Sequence, residues 1–215
     1  MVRIITLKDT FILGSIILSY LIGSIPTAYL LVKMIKGQDI RKIGSGNVGA
    51  TNASRILGKP AGFFILIVDM LKGVIPVVFI ADGILKRFYF SYPDILRLIL
   101  GILAIIGHNW PVFLNFKGGK GVATTFGVLL GLALRVNGLI WVLLSCVVVW
   151  IVSLLLARIV SLASVLSAIF LPLFMFFYKQ KKEFIIISFI FSLFIILRHI
   201  PNIKRILNKK EPRIF

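Results

Sequence analysis

Residues 107–127 read GHNWPVFLNFKGGKGVATTFG and interrupt the long apolar runs that make up most of this chain. Three closely spaced glycines follow Lys117 and surround a second lysine, Lys120. Glycine has no Cβ, so backbone N–H groups in such a loop can approach a ligand closely, and successive N–H groups beside a lysine form a concave site for an anion. The sequence therefore predicts an anion-binding loop around Lys120; the alternative is a basic loop that only faces the membrane surface.

The composition of the 215 residues is that of an integral membrane protein, since 59% are hydrophobic and the mean hydropathy is +1.05. The 25 Lys and Arg residues outnumber the 7 Asp and Glu residues and give a net charge of +18. In a soluble protein this excess would suggest nucleic-acid binding. Here the basic residues mostly lie between apolar runs, where they set topology and meet anionic head groups. We expect membrane lipid, and no nucleic acid, as a partner; the single cysteine, Cys146, excludes a disulfide framework or cysteine metal site.

Seven apolar runs approach the roughly 20 residues that a helix needs to cross the hydrocarbon core of a bilayer. They are continuously apolar, without the alternation of a barrel strand. We therefore predict an all-α integral membrane protein with seven transmembrane helices in a single polytopic domain, residues 1–215; because the fourth and last runs are short, the alternative is a re-entrant hairpin in place of a pair of spans. The first run has no small-residue cleavage site after it and is interpreted as a retained span. The predicted spans are residues 11–32, 61–80, 95–113, 122–134, 138–157, 162–178 and 184–198.

The basic residues in the connections predict the orientation, because loops rich in Lys and Arg stay in the cytoplasm. They place the N-terminus outside and the C-terminus in the cytoplasm, which leaves the basic segment 179–182 on the outer side. Transporters usually carry their polar residues near the membrane midplane on broken helices. In this chain the polar stretches instead gather on the cytoplasmic face, which predicts a site at the membrane surface. They are residues 33–59, 114–121, 158–164 and 198–215.

The first polar stretch, residues 43–55, is rich in small hydrogen-bonding residues and contains no acid. Its glycines permit tight turns, and Arg55 can form a bidentate pair with a phosphate. Thr51, Asn52 and Arg55 would share one helical face. An ordinary turn followed by a capped helix is the alternative. The candidate ligand-binding residues here are Gly44, Ser45, Gly46, Asn47, Gly49, Thr51, Asn52 and Arg55.

Asp69 and Lys72 lie within the second predicted span, three positions apart and hence adjacent on a helix. Because isolated charge is costly in a membrane, we interpret them as a structural ion pair rather than as a catalytic acid and its partner. His108 precedes Trp110 and a proline at a span end, and we interpret it as structural as well. The loop around Lys120 is not a Walker A motif, because that lysine is followed by glycine instead of Ser or Thr.

Two further polar stretches lie in the C-terminal part of the chain. The segment 158–164 is by itself no more than a positively charged helix junction. The tail, residues 198–213, is typical of a basic juxtamembrane helix drawn to anionic lipid. In the alternative interpretation, His199 and Asn202, three positions apart, direct one helical face toward the site.

Together these stretches closely resemble the bacterial acyl-phosphate:glycerol-3-phosphate acyltransferases. The resemblance extends from residue 44 to residue 213 in the family's order, and the two glycine-rich motifs are its most specific part. Two tail positions differ: Ile200-Pro201 follow the histidine, where a basic residue is usual, and Lys209 stands where glycine is usual. The matching pieces are 44–55, 69–73, 107–113, 116–124, 160–164 and the tail residues Arg198, His199, Asn202, Arg205 and Glu211.

The resemblance implies a seven-helix enzyme of the bacterial inner membrane, with its active site on the cytoplasmic face. It implies acyl transfer from acyl phosphate to the 1-hydroxyl of glycerol 3-phosphate, the first step of phospholipid synthesis, with lysophosphatidic acid and phosphate as products. CoA and acyl carrier protein would not be used directly. No metal and no other cofactor is implied, and a monomer is expected.

The site hypothesis assigns residues of both glycine-rich motifs and of the tail. Arg55 and Lys120 would stabilise charge on the leaving phosphate, and either His199 or the donor's own phosphate would accept the hydroxyl proton. The predicted catalytic residues are Ser45, Arg55, Lys120 and His199. The predicted substrate-binding residues are Gly44, Gly46, Asn47, Thr51, Asn52, Gly118, Gly119, Gly121, Ser164 and Asn202.

Two other classes of protein fit parts of this pattern. A transporter for an anionic solute such as phosphate would accumulate substrate in sealed vesicles. A scaffold that docks soluble lipid enzymes through its basic face would show no turnover alone.

Overall fold

The computed structural model describes residues 6–214, which form helices and short helical turns and contain no β-strand. The chain divides into two compact units, Met1–Arg135 and Val136–Phe215. The first unit contains α1 (Leu7–Ser24), α2 (Thr27–Lys36), α3 (Ala50–Leu57), α4 (Lys59–Ile75), α5 (Ala81–Leu85), α6 (Pro93–Asn109) and α7 (Val122–Ala133). The second contains α8 (Leu139–Ala157), α9 (Val160–Phe177), α10 (Lys182–Arg198) and α11 (Ile200–Leu207).

All seven apolar runs predicted from the sequence are helical, which confirms the all-α class. Among residues 6–214, five helical segments are long and apolar enough to cross a membrane. A sixth results when α10 and α11, bent by 58° relative to each other, are taken as one span. Helix α7 is apolar but shorter. The count of seven spans and the orientation of the termini stay predictions.

The first predicted span, residues 11–32, is not one continuous helix. Helix α1 ends at Ser24 and α2 begins at Thr27, with Ile25 and Pro26 between them. Proline lacks an N–H and disfavours a helical conformation in the residue before it, so the helix ends at this point. The carbonyl of Ile25 at this break accepts a hydrogen bond of 2.5 Å from the Lys72 ammonium group of α4.

Glycines bring the backbones of neighbouring helices in the first unit into close contact. A Cβ added to Gly23 of α1 would collide with the Ala104 backbone of α6, and one added to Gly73 of α4 would lie 2.5 Å from the Val128 nitrogen of α7. Close packing of small residues is a principal source of helix association in a membrane. These contacts hold the end of α1 against α6, and α4 against α7.

A buried apolar cluster holds the two connecting loops of the first unit against its helices. Val48 from the loop before α3 and Leu114 from the turn after α6 pack into the same cluster. Both glycine-rich segments are therefore anchored by buried neighbours. The cluster also contains Ala28, Val32, Ile40, Ala53 and Ile65.

In the second unit, α9 packs against α8, α10 and α11. Helix α11 starts directly after His199 and carries Pro201 in its first turn. A proline is well tolerated there, because a first-turn N–H has no intrahelical partner. The tail then turns back, and the Ile214 N–H donates a hydrogen bond of 2.8 Å to the carbonyl of Arg158.

Candidate active site

The first glycine loop, residues 43–49, is built around the buried side chain of Asn52. Its Oδ1 atom accepts a hydrogen bond of 2.9 Å from the Ser45 N–H. Its Nδ2 group donates to the carbonyls of Ile43 and Asn47, both at 3.1 Å. Gly44 has φ of 60°, and a Cβ there would collide with the Asn52 side chain. The loop conformation therefore requires both the glycine and the buried amide.

The other predicted ligand-binding residues of this loop are more accessible. Gly46 completes the turn with φ of 71°. Ser45 and Arg55 are exposed, while Asn47 and Thr51 are half-buried. Within residues 6–214 no hydrogen bond or ion pair engages the Arg55 guanidinium. Its charge and its planar set of donors are therefore accessible to an anion.

The second glycine loop, residues 115–121, folds against the C-terminal end of α6. The Gly118 N–H donates to the Asn109 carbonyl at 3.3 Å, and the Gly119 N–H donates to the His108 carbonyl at 3.1 Å. Gly121, with φ of 77°, leads directly into α7. A Cβ at Gly121 would lie 2.6 Å from the Asn109 Oδ1 atom. The glycines therefore allow the loop to pack on α6 at distances that a side chain would prevent.

The two glycine loops meet at Gly119. A Cβ added there would collide with the His108 imidazole and would lie 2.7 Å from the Val48 carbonyl oxygen. Val48 belongs to the first loop, so the two motifs adjoin although they are far apart in the sequence. Lys120, predicted to be catalytic, is the next residue and is half-buried.

A buried ion pair lies beside this junction. The Lys72 Nζ and Asp69 Oδ1 atoms are 2.6 Å apart, and both side chains are only 4% exposed, which confirms the predicted ion pair. His108 Nδ1 lies 3.9 Å from the same Asp69 oxygen. These three residues and Gly119 border a small cavity of about 10 Å³. The sequence indicated the pair but not its place beside the glycine loops.

In the second unit the carboxylate of Glu211 connects the tail to α9 and α11. It accepts hydrogen bonds from Ser161 Oγ at 2.7 Å, Asn202 Nδ2 at 2.5 Å and Arg205 Nε at 2.6 Å. Burial raises the pKa of Glu211, but the hydrogen bonds from Asn202, Arg205 and Ser161 together keep that pKa below its ordinary value. In the sequence, the only signal for this role of Glu211 is the match of the tail to the family's tail motif.

Two other predicted site residues of the second unit have defined partners. His199 is buried, and its Nδ1 atom lies 2.7 Å from the carbonyl oxygen of Ile195. A carbonyl can only accept, so Nδ1 carries the proton in this contact. Ser164 Oγ donates to the Val160 carbonyl at 2.9 Å and accepts a hydrogen bond of 3.3 Å from Trp150 Nε1. Nothing in the sequence pattern had indicated Trp150.

The predicted site residues are thus distributed over both units. The glycine loops, Arg55 and Lys120 belong to the first unit. Ser164, His199 and Asn202 belong to the second. That all of them share one pocket stays a prediction.

Comparison with known proteins gives the family. The family model for glycerol-3-phosphate acyltransferase matches residues 13–209. This chain belongs to the glycerol-3-phosphate acyltransferase family. A glycerol-3-phosphate acyltransferase from Macrococcus caseolyticus is 43% identical over 201 residues, 93% of this chain and 95% of that protein. One from Prochlorococcus marinus is 42% identical over 199 residues, 91% of this chain and 94% of that protein.

A solved relative has a similar fold. The crystal structure of PlsY (YgiH), an integral membrane glycerol 3-phosphate acyltransferase, in its glycerol 3-phosphate form matches with a TM-score of 0.83. It is 37% identical to this chain, and the match covers 95% of this chain and 96% of that chain. These matches confirm the resemblance inferred from the motifs. They identify this glycerol-3-phosphate acyltransferase family member as an integral membrane acyltransferase of phospholipid synthesis.

Proposed function

We propose that this protein transfers a fatty acyl group from acyl phosphate to the 1-hydroxyl of glycerol 3-phosphate, forming lysophosphatidic acid and inorganic phosphate. The observation that carries the proposal is the junction of the two glycine loops at Val48 and Gly119, in the unit that also presents Arg55 and Lys120. Both substrates carry phosphate, and both of these side chains are cations. Family membership and the glycerol 3-phosphate form of the related PlsY support the same acceptor.

The two cations have different access to an anion. Arg55 is exposed and can offer a bidentate pair of N–H donors to phosphate oxygens. Lys120 is half-buried beside the loop junction, where its charge is less screened than in water. We assign both to the phosphate that leaves the acyl group, because negative charge accumulates there as the acyl–oxygen bond breaks. The glycines of both loops, with Ser45, Asn47, Thr51 and Asn52, form or support the surrounding walls.

The proposed reaction needs one bond exchange. The hydroxyl oxygen of glycerol 3-phosphate attacks the acyl carbonyl carbon, and the bond from that carbon to the phosphate oxygen breaks. The departing oxygen keeps the electron pair, and the hydroxyl proton ends on the released phosphate. Acyl phosphate is a mixed anhydride with a good leaving group, so positioning the two reactants provides much of the acceleration. A covalent intermediate on Ser45 is not required.

Two groups are candidates for accepting the proton. The first is the donor phosphate itself, which becomes more basic as the bond breaks. The second is His199, whose Nδ1–H is directed to the Ile195 carbonyl, so that in the neutral ring Nε2 has the chemistry of a base. We favour the donor phosphate and assign His199, Asn202 and Ser164 to orienting glycerol 3-phosphate.

The location follows from the same assignment. We place the protein in the bacterial inner membrane as one polytopic domain, with both glycine loops on the cytoplasmic face, where the acceptor is dissolved. The acyl chain would remain among the apolar helices while its phosphate lies at the surface. No metal and no cofactor takes part in this scheme.

The test uses detergent-purified protein, palmitoyl phosphate and glycerol 3-phosphate, with phosphate release and lysophosphatidic acid formation measured together. We expect both products in equal amounts and only when both substrates are present. Arg55→Ala and Lys120→Ala should each lower kcat/KM by at least about a hundredfold, the scale for losing one transition-state donor. Lys36→Ala, which removes an exposed lysine at the end of α2, is the matched control.

Other results would point to other functions. Full activity of both cation variants would show that the site assignment is wrong. Acyl transfer from palmitoyl-CoA but not from palmitoyl phosphate would refute the assignment of acyl phosphate as the acyl donor. Solute accumulation in sealed vesicles without acyl transfer would identify a transporter instead.

A further inference from the structure

Buried polar groups lie in sequence between the break that separates α1 from α2 and the second glycine loop. Lys72 Nζ donates to the Ile25 carbonyl at 2.5 Å and to Asp69 Oδ1 at 2.6 Å. Asp69 in turn faces His108 Nδ1 at 3.9 Å, and the other side of the His108 ring lies against Gly119. Lys72 and Asp69 are each only 3% exposed.

His108 Nδ1 and Asp69 Oδ1 are 3.9 Å apart, which is too long for a direct hydrogen bond but close enough for electrostatic attraction in a buried setting. The adjoining cavity of about 10 Å³ is close to the minimum that one water requires. Ser24 Oγ and Thr27 Oγ1 border it and are buried without a hydrogen-bond partner within residues 6–214. Asp69, His108, Ser24 and Thr27 thus line one cavity, which is polar enough to hold a water.

We propose that Lys72, Asp69 and His108 position the second glycine loop and thereby set where Lys120 meets the substrate phosphate. The inference rests on the function proposed above, because that function assigns Lys120 to the phosphate. The second glycine loop is in direct contact with His108. The Gly119 N–H is bonded to the His108 carbonyl, and the ring fills the space where a Gly119 side chain would lie.

A role in stability alone explains this arrangement poorly. A buried ion pair is often no more stabilising than apolar residues of the same volume. The first unit contains another ion pair, Asp82 of α5 with Arg97 of α6 at 2.6 Å, in which Asp82 is 24% exposed and also pairs with Arg135 at 2.7 Å. Asp82→Asn is therefore a control for the loss of an ion-paired carboxylate at a site away from both glycine loops.

The first experiment measures amide hydrogen exchange of peptides that cover residues 115–121 in detergent-purified protein. We expect exchange to become faster by about fivefold or more in Asp69→Asn and in His108→Ala, while Asp82→Asn leaves it unchanged. Equal exchange in Asp69→Asn and wild type, or the same acceleration in Asp82→Asn, would overturn the proposal. This measurement needs no substrate, so it decides the positioning role even if acyl transfer is not found.

The second experiment separates KM from kcat in the acyl-transfer assay. Lys120 is assigned to charge that develops on the leaving phosphate, so we expect Asp69→Asn and His108→Ala to lower kcat by about tenfold to a hundredfold, with a smaller change in KM. The double variant should be no worse than the more damaging single variant, because the two residues act in series. His108→Asn, which keeps a polar group near the Nδ1 position, should recover part of the loss. Additive losses in kcat, or an unchanged kcat in both single variants, would contradict the proposal.

Discussion

The side-chain oxygen of Asn52 accepts a hydrogen bond of 2.9 Å from the backbone N–H of Ser45, seven positions earlier in the chain. The same side chain donates to two carbonyls of the first glycine loop. Asn52 is only 1% exposed, so these contacts are shielded from water. Its side chain therefore builds the loop that presents Ser45, and the substrate contact predicted for Asn52 stays a prediction.

This arrangement predicts a clear difference between two variants of Asn52. Asn52→Asp keeps an acceptor for the Ser45 N–H but loses both donors and places a carboxylate beside carbonyl oxygens. We expect it to be as inactive as Asn52→Ala, and both to lose about 1–3 kcal/mol for each polar group left unsatisfied. Acyl transfer and thermal unfolding in detergent measure the two effects. Gln38→Ala, at an exposed position nearby, is the control. Wild-type activity in Asn52→Asp would show that the donated hydrogen bonds are dispensable.

Gly119→Ala should abolish acyl transfer with a smaller effect on folding. The added methyl group meets the His108 ring and the Val48 carbonyl, so one of the two loops must move. Overpacking of this kind typically costs about 1–3 kcal/mol. Gly83→Ala is the control, because nothing lies within 4 Å of a Cβ at that exposed helical position. If Gly119→Ala and Gly83→Ala have equal activity, the junction of the loops does not matter for the reaction.

The sequence predicted those features that depend on local spacing. Helical spacing was enough to predict the ion pair of Asp69 and Lys72, because residues three apart on a helix are always neighbours. The apolar runs predicted where helices lie, because a run of about 20 apolar residues is long enough to cross a bilayer as a helix. The break at Pro26 was missed, since the run stays apolar through Ile25 and hydropathy does not register a missing N–H.

Features that depend on tertiary packing could not be predicted in this way. No local rule states that the N–H groups of Gly118 and Gly119 bond to the end of α6, or that His108 lies against Gly119. The hydrogen bond from Trp150 to Ser164 joins two helices and likewise leaves no periodic signal. The motifs therefore identified the loops and the candidate residues, whereas the contacts that shape them required the fold.

The tail should make stability depend on pH through Glu211. Its folded pKa lies below the ordinary value of 4.5, so its contribution is present above that value and is lost as pH falls through the lower folded pKa. We expect the melting temperature to fall as pH decreases below about 4.5, and Glu211→Gln to weaken this dependence. Asp39, whose pKa is lowered to about 2 by the hydrogen bond from Arg41, extends the dependence to lower pH. The contribution of Glu211 is therefore the difference between the pH dependence of the melting temperature in wild type and that in Glu211→Gln.

Glu183→Gln provides the control for that measurement, because Glu183 is exposed at the start of α10. It should leave the pH dependence unchanged. A Glu211→Gln variant with the same pH profile as wild type would show that the three hydrogen bonds to this carboxylate do not affect stability.

Lys209 lies two residues after the last residue of α11, in a left-handed backbone conformation that favours glycine. Its φ is 55°, its N–H bonds to the Ile206 carbonyl at 2.9 Å, and the Lys210 N–H bonds to the Arg205 carbonyl at 2.7 Å. This pair of bonds is the Schellman motif, whose left-handed residue is usually glycine. The departure from the family at this position therefore leaves the backbone turn in place and only adds strain to it. The turn directs Glu211 back to Asn202 and Arg205.

Lys209→Gly should consequently stabilise the protein. A left-handed residue with a Cβ costs about 1–2 kcal/mol, and the greater freedom of glycine in the unfolded chain offsets about 0.5–1 kcal/mol of the gain. We expect a higher melting temperature and unchanged acyl transfer. Lys210→Gly, one position later and without positive φ, should gain nothing, and Lys209→Val should be less stable than wild type because a β-branched side chain is poorly accommodated at positive φ. Equal melting temperatures for Lys209→Gly and Lys210→Gly would mean that the turn carries no strain.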